Sequence, residues 1–506
     1  MSESATAAAG DLDQQELFGH PRGLMTLFFT EMWERLSYYG MRALLVLFMT
    51  DQIVNGGMAL DDRSATAIYG IYTAAVYLVC LPGGWIADRL IGSQRAVFVG
   101  GLIIMSGHFV LAIPSVQTFF LGLILVVLGT GLLKPNVSTI VGELYPEGDP
   151  RRDGGFSIFY MGINVGGLLG PLICGGLAQS DSFGWHWGFA AAGVGMLFGL
   201  IQFQMTKSSL GEAGLHPTHK ADPSADAVSM KRSWALLIAG LVLLVAFLGA
   251  AFAGLIKLDP VDVAAKTTTL IVGMFVLFFA YVLLLAGLDG TEKKRVIALL
   301  VLLFACAMFW SGFEQSGSSM NIFADRHTQL DYGGISIPST WFQSVNSFFI
   351  IVFAPIFAWL WVWLARHNLN PSTPLKFGFG LLWLAAGFGL MVIAASIVVS
   401  GDQAAPTWLI FTYLFHTWGE LMLSPVGLSA TTKLAPRRFV GQMMGMWFLA
   451  TALGNLIAGQ IAGEFDPDNL ASMPGQYLDI VKVIGGAGLV MLLLTIPIKR
   501  LMGGIK

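Results

Sequence analysis

Apolar runs of about 20 residues recur along the whole chain, and each is long enough to cross about 30 Å of hydrocarbon. Inside lipid every backbone N–H and C=O must be satisfied by the segment itself, so runs of this length are expected to be helices. Fourteen can be drawn, at about 24–50, 65–87, 95–113, 117–140, 155–178, 185–206, 233–256, 267–288, 296–320, 339–365, 375–399, 406–432, 439–463 and 479–501. Only 12% of the 506 residues are charged, against roughly 25% in a soluble domain. An all-α, polytopic membrane protein is expected.

Lys and Arg test the count. With an even number of spans, one side holds both termini and every second loop, and it carries 20 of the 28 cations; the other side carries 5. The positive-inside rule then places both termini in the cytoplasm. Net charge is −3 with no basic stripe, so no nucleic acid is expected as a partner. The cysteines, Cys80, Cys174 and Cys306, all lie in apolar runs and give neither a disulfide framework nor a metal-ligand spacing. The first 20 residues are polar and partly acidic, and no cleaved signal peptide is expected there.

The division expected from these spans is a cytoplasmic segment at 1–23, a six-helix bundle at 24–206, a cytoplasmic linker at 207–232, an inserted transmembrane pair at 233–288 and a second six-helix bundle at 289–502. The inserted pair is apolar all round, as a helix facing lipid is. LLKPNVSTIVGELYP at 132–146 aligns with MLSPVGLSATTKLAP at 422–436 at a constant offset of 290, both prolines in register. Related halves with a site at their interface are a transporter architecture.

The first span breaks the apolar rule. TEMWERLSYYGMRALLV carries Glu31, Glu34, Arg35 and Arg42, and at about 100° per residue all of them share one stripe with Tyr38. One alternative is a helix that pairs its ions internally, since Glu31 and Arg35 are spaced i, i+4. Other spans add Lys134, Glu314 and Glu420. Seven ions at about 3 kcal/mol each sum to about 20 kcal/mol if unpaired, beyond a typical folding stability. They must meet one another or water, so a shared polar cavity is expected. Four acids face three bases, and the surplus acid is expected to take a proton, because desolvation disfavours its ion. Glu314 has no cation in its own helix and is the expected surplus acid; Arg35 and Arg42 serve Glu31 and Glu34.

The charges are also sorted. The cations lie in the first half, Glu314 and Glu420 in the second, so a ligand with an anionic and a cationic end would bridge them. Tyr38, Tyr77, Trp310 and Trp447 share these spans, as do Asn164 and Asn346. Such aromatics also serve as packing or interfacial anchors, and asparagine as glue between helices. Pro135 and Pro425 each adjoin a cavity residue, where a helix can bend.

EMWERLSYYG on the first span resembles the signature of the proton-dependent oligopeptide transporter family, a branch of the major facilitator superfamily. So do GGWIADR, GTGLLKPNVS, FSIFYMGIN, FEQSGSSM and GELMLSPVGLS, in order along the chain. The resemblance runs from about residue 20 to 500, and the inserted pair matches bacterial members. It implies a major facilitator fold of two six-helix bundles plus the inserted hairpin, in the cell (inner) membrane, importing di- and tripeptides with protons by alternating access. No cofactor or metal is implied, since the proton gradient drives transport.

Carried over residue by residue, Arg35 and Lys134 would hold the peptide carboxylate with Tyr38 assisting. Glu420 would hold the amino terminus, with Asn164 and Asn346 on the peptide backbone. Tyr77, Trp310 and Trp447 would shape side-chain pockets, Tyr69 and Tyr72 being the other candidates for the tyrosine. Ser424 would lie beside Glu420. Glu31, Glu34 and Glu314 would couple the proton together with Arg35 and Lys134, and Asp88 with Arg89 would latch the cytoplasmic side. Animal members carry a histidine on the second helix where TAIYGIYTAAVYL has none, so proton handling should rest on carboxylates.

Two rivals remain at this level beside a purely structural or channel-like protein, for which the charge-lined twofold design would be odd. A transporter of the same fold for another small solute, such as nitrate or a drug, would use the cations but has less use for Glu420. A membrane-embedded enzyme would need a motif such as HExxH or GxSxG, and the chain contains neither.

Overall fold

A computed structural model describes residues 16–146, 149, 151–217, 223–465 and 469–504. The reading of the first 20 residues therefore falls largely on residues outside those described, and so does part of the 207–232 linker. Helices carry almost all of the backbone, as hydrocarbon demands. They are α1 (Gly23–Thr50), α2 (Asp62–Ile86), α3 (Ser93–Leu111), α4 (Val116–Glu143), α5 (Arg152–Gly170), α6 (Trp185–Thr206), α7 (Pro223–Phe252) and α8 (Pro260–Ala280). Then come α9 (Gly290–Phe313), α10 (Ser319–His327), α11 (Gln343–Arg366), α12 (Thr373–Val399), α13 (Pro406–Leu434), α14 (Val440–Ala462), α15 (Met473–Leu493) and α16 (Thr495–Leu501). Two antiparallel hairpins, β1 (Glu16–Leu17) with β2 (His20–Pro21) and β3 (Asp331–Tyr332) with β4 (Ile335–Ser336), lie before α1 and between α10 and α11, and short 3₁₀ and π turns end or join several of the helices.

Among the described residues, twelve helices are long and apolar enough to cross a membrane. α1 and α13 are as long, at 28 and 29 residues, but more polar: α1 holds four ionisable residues, and α13 holds Glu420 among threonines and serines. The expected run at about 296–320 is not one helix. α9 stops at Phe313, a tight 3₁₀ turn spans Glu314–Gly317, and α10 resumes at Ser319. α4 and α13 run on through Pro135 and Pro425.

Helix starts follow local chemistry. Asp259 caps α8 by accepting the Asp262 N–H at 2.8 Å, and Pro260 follows at a position that needs no donor. Asp289 and Glu292 form a reciprocal capping box on α9, with the Asp289 side chain accepting the Glu292 N–H at 2.7 Å. Outside the spans, Arg151 donates to Asp149 and to Glu16 on β1; its hydrogen bonds hold the Asp149 carboxyl below the ordinary value.

The chain forms two compact units. The first comprises the chain up to Met41, Val79–Cys174 and His186–Lys257. Its core gathers Leu24 and Leu27 of α1 with Val97, Ile104, Leu133, Val137 and Phe203. α3 and α4 pack here backbone to backbone. A Cβ on Gly129 would lie 2.6 Å from the Gly100 carbonyl oxygen and 2.7 Å from Ile104 Cγ1. Small residues at such crossings replace the hydrophobic drive that lipid removes.

The second unit comprises Arg42–Leu78, Gly175–Trp185 and the chain from Leu258 onward. Its core runs through Leu299, Phe309, Phe377, Phe388, Trp447 and Tyr477. α8 joins it through Ile271 and Phe279 and through a 2.9 Å hydrogen bond from Gln460 to Thr268. α7, in the first unit, is apolar from Trp234 onward, and no residue of that stretch is buried, with Leu243 at 71%. The division falls inside α1, between Met41 and Arg42.

Gly129→Leu should lower the thermal midpoint in detergent, by about 1–3 kcal/mol of overpacking. Gly240→Leu on α7, where a Cβ meets nothing within 4 Å, should leave it unchanged. Tryptophan fluorescence during heating of both purified variants checks this.

Candidate functional site: two clusters of buried ions

In the first unit the ions collect on α1. Glu31, Glu34 and Arg35 are nearly inaccessible, at 2%, 0% and 2%. Arg35 Nε pairs with Glu34 Oε2 and lies 3.3 Å from Glu31 Oε1, while Arg35 Nη2 donates to Glu34 Oε1 at 2.7 Å. The second Glu31 oxygen has no hydrogen-bond partner among the described residues. The guanidinium stands over the Tyr38 ring at 4.8 Å, a cation–π contact that leaves its hydrogen bonds free for anions. Lys134, from α4, is within electrostatic reach of Glu31, Glu34 and Arg35. This cluster balances two cations against two carboxylates.

In the second unit Arg42 turns to a different partner. Its Nη2 donates to Glu314 Oε2 at 2.7 Å, with both side chains under 10% exposed. Its Nε donates to the Tyr69 hydroxyl at 2.6 Å. Glu314 is therefore ion-paired, which corrects the expectation that Arg42 serves Glu31 and Glu34. The reason is position: Arg42 is two turns beyond Arg35, too far to share its acids, and the break after α9 turns Glu314 toward it. Glu420 is the acid that lacks a cation within 4 Å among the described residues. Its Oε2 accepts from Asn346 Nδ2 at 3.2 Å, and the same amide donates to Thr417 at 2.9 Å. One cation against two carboxylates puts the surplus acid of the seven in this cluster.

The other expected residues are distributed as follows. Asn164 of α5 is buried and donates to the Tyr160 carbonyl at 2.9 Å, a bond along its own helix. Trp310 stands edge-on to Phe313, with ring centroids 5.2 Å apart, directly before Glu314. Trp447 is buried against Phe377, and Tyr77 packs at the margin of the same core. The Ser424 hydroxyl, one turn from Glu420, has no partner among the described residues. Asp88 and Arg89 sit in the widened turn Ala87–Ile91 that ends α2; neither makes an ion pair among the described residues. No group of three or more metal-ligating side chains occurs among them. The sequence offered Tyr69 as an alternative to Tyr77 for a side-chain pocket, not as a partner of Arg42 and Glu314, and gave no place to Thr417; Thr417 stands one turn before Glu420 on the same face, a spacing that could have marked it.

The model of the POT family matches residues 94–472 of the chain. The peptide transporter YePEPT of Yersinia enterocolitica is 42% identical, with 97% of this chain and 96% of that protein covered. A di-/tripeptide transporter of Lactococcus lactis subsp. cremoris is 37% identical over 97% of this chain and 99% of its own. The crystal structure of a peptide transporter in complex with sulfate superimposes with a TM-score of 0.88 at 43% identity, covering 97% of this chain and 98% of that one.

Breaking the Arg42–Glu314 pair leaves a buried charge uncompensated, which costs about 3–5 kcal/mol. Arg42→Leu should therefore lower thermal stability in detergent strongly, and Arg42→Leu with Glu314→Leu should recover most of the loss. A double-mutant cycle on the two melting midpoints checks this.

Proposed function

Because this chain belongs to the POT family, it is a membrane transporter of di- and tripeptides and not an enzyme, and we propose that it couples their import to protons through the two ion clusters. Its fold is the all-helical fold of that family. The finer architecture belongs to the same proposal: fourteen membrane-spanning helices, bundles at 24–206 and 289–502, the pair at 233–288 inserted, and both termini cytoplasmic. Support for the orientation is the division of cations, 20 on one side against 5 on the other.

The observation that carries the mechanism is Glu420, buried and hydrogen-bonded to Asn346 but without a cation within 4 Å among the described residues. A peptide's ammonium supplies the missing charge. Its carboxylate goes to Arg35 and Lys134, with Tyr38 beside them, and Asn164 and Asn346 meet the backbone amides. Tyr77, Trp310, Trp447 and Ser424 line the side-chain space.

Charge balance then links peptide to proton. Without peptide, the second cluster has one acid too many, and a proton on Glu314 relieves it. The arriving ammonium removes that need, while the arriving carboxylate upsets the balance among Glu31, Glu34, Arg35 and Lys134. The demand for a proton passes from Glu314 to Glu31 or Glu34. Asp88 and Arg89 act at the cytoplasmic closure.

Uptake of a labelled dipeptide into proteoliposomes, with and without an inward proton gradient, tests the whole reading; uptake that ignores the gradient refutes coupling. Glu420→Ala should weaken free dipeptides selectively, and an equal loss for N-acetylated dipeptides would remove Glu420 from the amino pole.

Glu314→Gln, which mimics the protonated form, should exchange peptide for peptide but fail to concentrate it. Lys134→Ala should abolish proton-driven uptake. Accumulation by Glu314→Gln under an imposed gradient would transfer the coupling role to Glu31 or Glu34.

A further inference from the structure

Tyr69 is the residue that the reading above leaves without a task, and its surroundings are unusual. It comes from α2, its side chain is fully buried at 0%, and its hydroxyl sits between the two members of the Arg42–Glu314 pair. Arg42 Nε donates to that oxygen at 2.6 Å, and the hydroxyl donates to Glu314 Oε2 at 3.3 Å. The same Oε2 accepts Arg42 Nη2 at 2.7 Å, so the three side chains close a ring of hydrogen bonds. The guanidinium carbon also lies 5.7 Å from the Tyr69 ring centroid.

The backbone is shaped around this hydroxyl. A Cβ on Gly317, the last residue of the turn that breaks α9 from α10, would collide with the Tyr69 hydroxyl oxygen. Residue 317 therefore has to be glycine for the phenol to reach Glu314. The turn is held in other ways that do not involve the phenol: Gln315 Nε2 donates to the Ala458 carbonyl at 3.0 Å, and Gln343 donates to the Ser316 carbonyl.

We propose that Tyr69 is a positioning residue for proton coupling, keeping Arg42 oriented in both protonation states of Glu314 and setting the pH at which transport switches. This rests on the reading of Glu314 as a coupling acid. A phenol can do both jobs because its oxygen accepts while its proton donates. When Glu314 is ionised, the hydroxyl adds a donor to the carboxylate. When Glu314 is protonated and its hold on Arg42 weakens, Arg42 Nε keeps its acceptor on Tyr69. Arg42 Nε has that acceptor in both states, so the difference the phenol makes to the Glu314 proton is the hydrogen bond that it donates to the carboxylate.

Other titratable groups surround the turn. Glu420 and Tyr413 come from α13, within electrostatic reach of Arg42, and the Tyr413 hydroxyl donates to the Ser316 carbonyl at 3.4 Å. His416, on the same helix, lies tilted against Phe313 with ring centroids 6.4 Å apart, and Tyr477 of α15 lies against Phe388. None of these is hydrogen-bonded to Glu314 among the described residues, whereas Tyr69 is.

Tyr69→Phe is the direct test, since it keeps the ring and its cation–π face and removes only the hydroxyl. Loss of a donor favours the protonated carboxyl, so half-maximal proton-driven uptake should move to higher external pH. The shift should be about half to one pH unit, the size of one long hydrogen bond to an ionised group. Peptide counterflow at fixed pH should stay within about twofold of the parent. Gly317→Ala, which displaces the hydroxyl, should move the profile the same way.

In the Glu314→Gln background, where there is no charge to stabilise, Tyr69→Phe should leave counterflow unchanged. An unmoved midpoint, or an equal loss at every pH, would overturn the proposal. If Glu314→Gln itself still concentrates peptide, the coupling reading fails and the Tyr69 proposal falls with it. If Glu314→Gln uncouples while the Tyr69→Phe profile stays put, only the Tyr69 proposal falls.

Discussion

The cost of placing an ion in hydrocarbon governs this structure more than any other term. At about 3 kcal/mol for each unpaired ion, the seven ionisable residues of the spans would erase the stability of a protein of this size. The chain meets that cost by pairing. Arg35 is clasped by Glu31 and Glu34 within a single turn of α1, and Arg42 is clasped by Glu314 from a helix some 270 residues away in sequence. What the pairing leaves over among the described residues is the carboxylate of Glu420, held by the Asn346 amide. A buried acid short of one cation is a poor way to stabilise a fold and a good way to receive an ammonium group or a proton.

The break between α9 and α10 follows from the same requirement. A continuous helix would keep Glu314 on the lattice of α9, whereas the 3₁₀ turn at Glu314–Gly317 presents the carboxylate to Arg42 and Tyr69. Opening a helix in a membrane frees backbone groups that must find other partners. Here side chains supply them: Gln343 reaches the Ser316 carbonyl, and the Ser318 hydroxyl donates to the Glu314 carbonyl at 3.4 Å. Asn321 of α10 donates to the Ala43 carbonyl at 2.9 Å, next to Arg42. The polar network around the ion pair is thus also the repair of the broken helix.

Close packing is what makes such short ion pairs attainable. Long charged side chains lose entropy when pinned, and the geometry holds only if the helices that carry them do not drift. Glycine at the α3–α4 crossing brings those backbones together in the first unit. In the second, Gly380 and Gly419 do the same for α12 and α13: a Cβ on Gly419 would lie 2.6 Å from the Gly380 carbonyl oxygen. Gly419 is the neighbour of Glu420, so the packing that sets α13 also sets its carboxylate.

The class of fold was legible in the sequence because hydrocarbon leaves so few options. Runs of about 20 apolar residues must be helices, and a helix stands at each place where such a run was read. The exposure of the apolar part of α7 was likewise expected from its being apolar on every side. The functional residues could be listed for a related reason: charge inside a span is too expensive to be incidental, so Glu31, Glu34, Arg35, Arg42, Lys134, Glu314 and Glu420 marked themselves. Their partners were another matter. Spacing along α1 predicted the Arg35 cluster, because residues one turn apart are neighbours whatever the rest of the chain does. The pairing of Arg42 with Glu314, the phenol of Tyr69 between them and the glycine at 317 that admits it join three segments far apart in sequence. Helical periodicity says which face a residue occupies but not which helix that face will meet. Only the tertiary packing decided that the acid left without a cation is Glu420 and not Glu314.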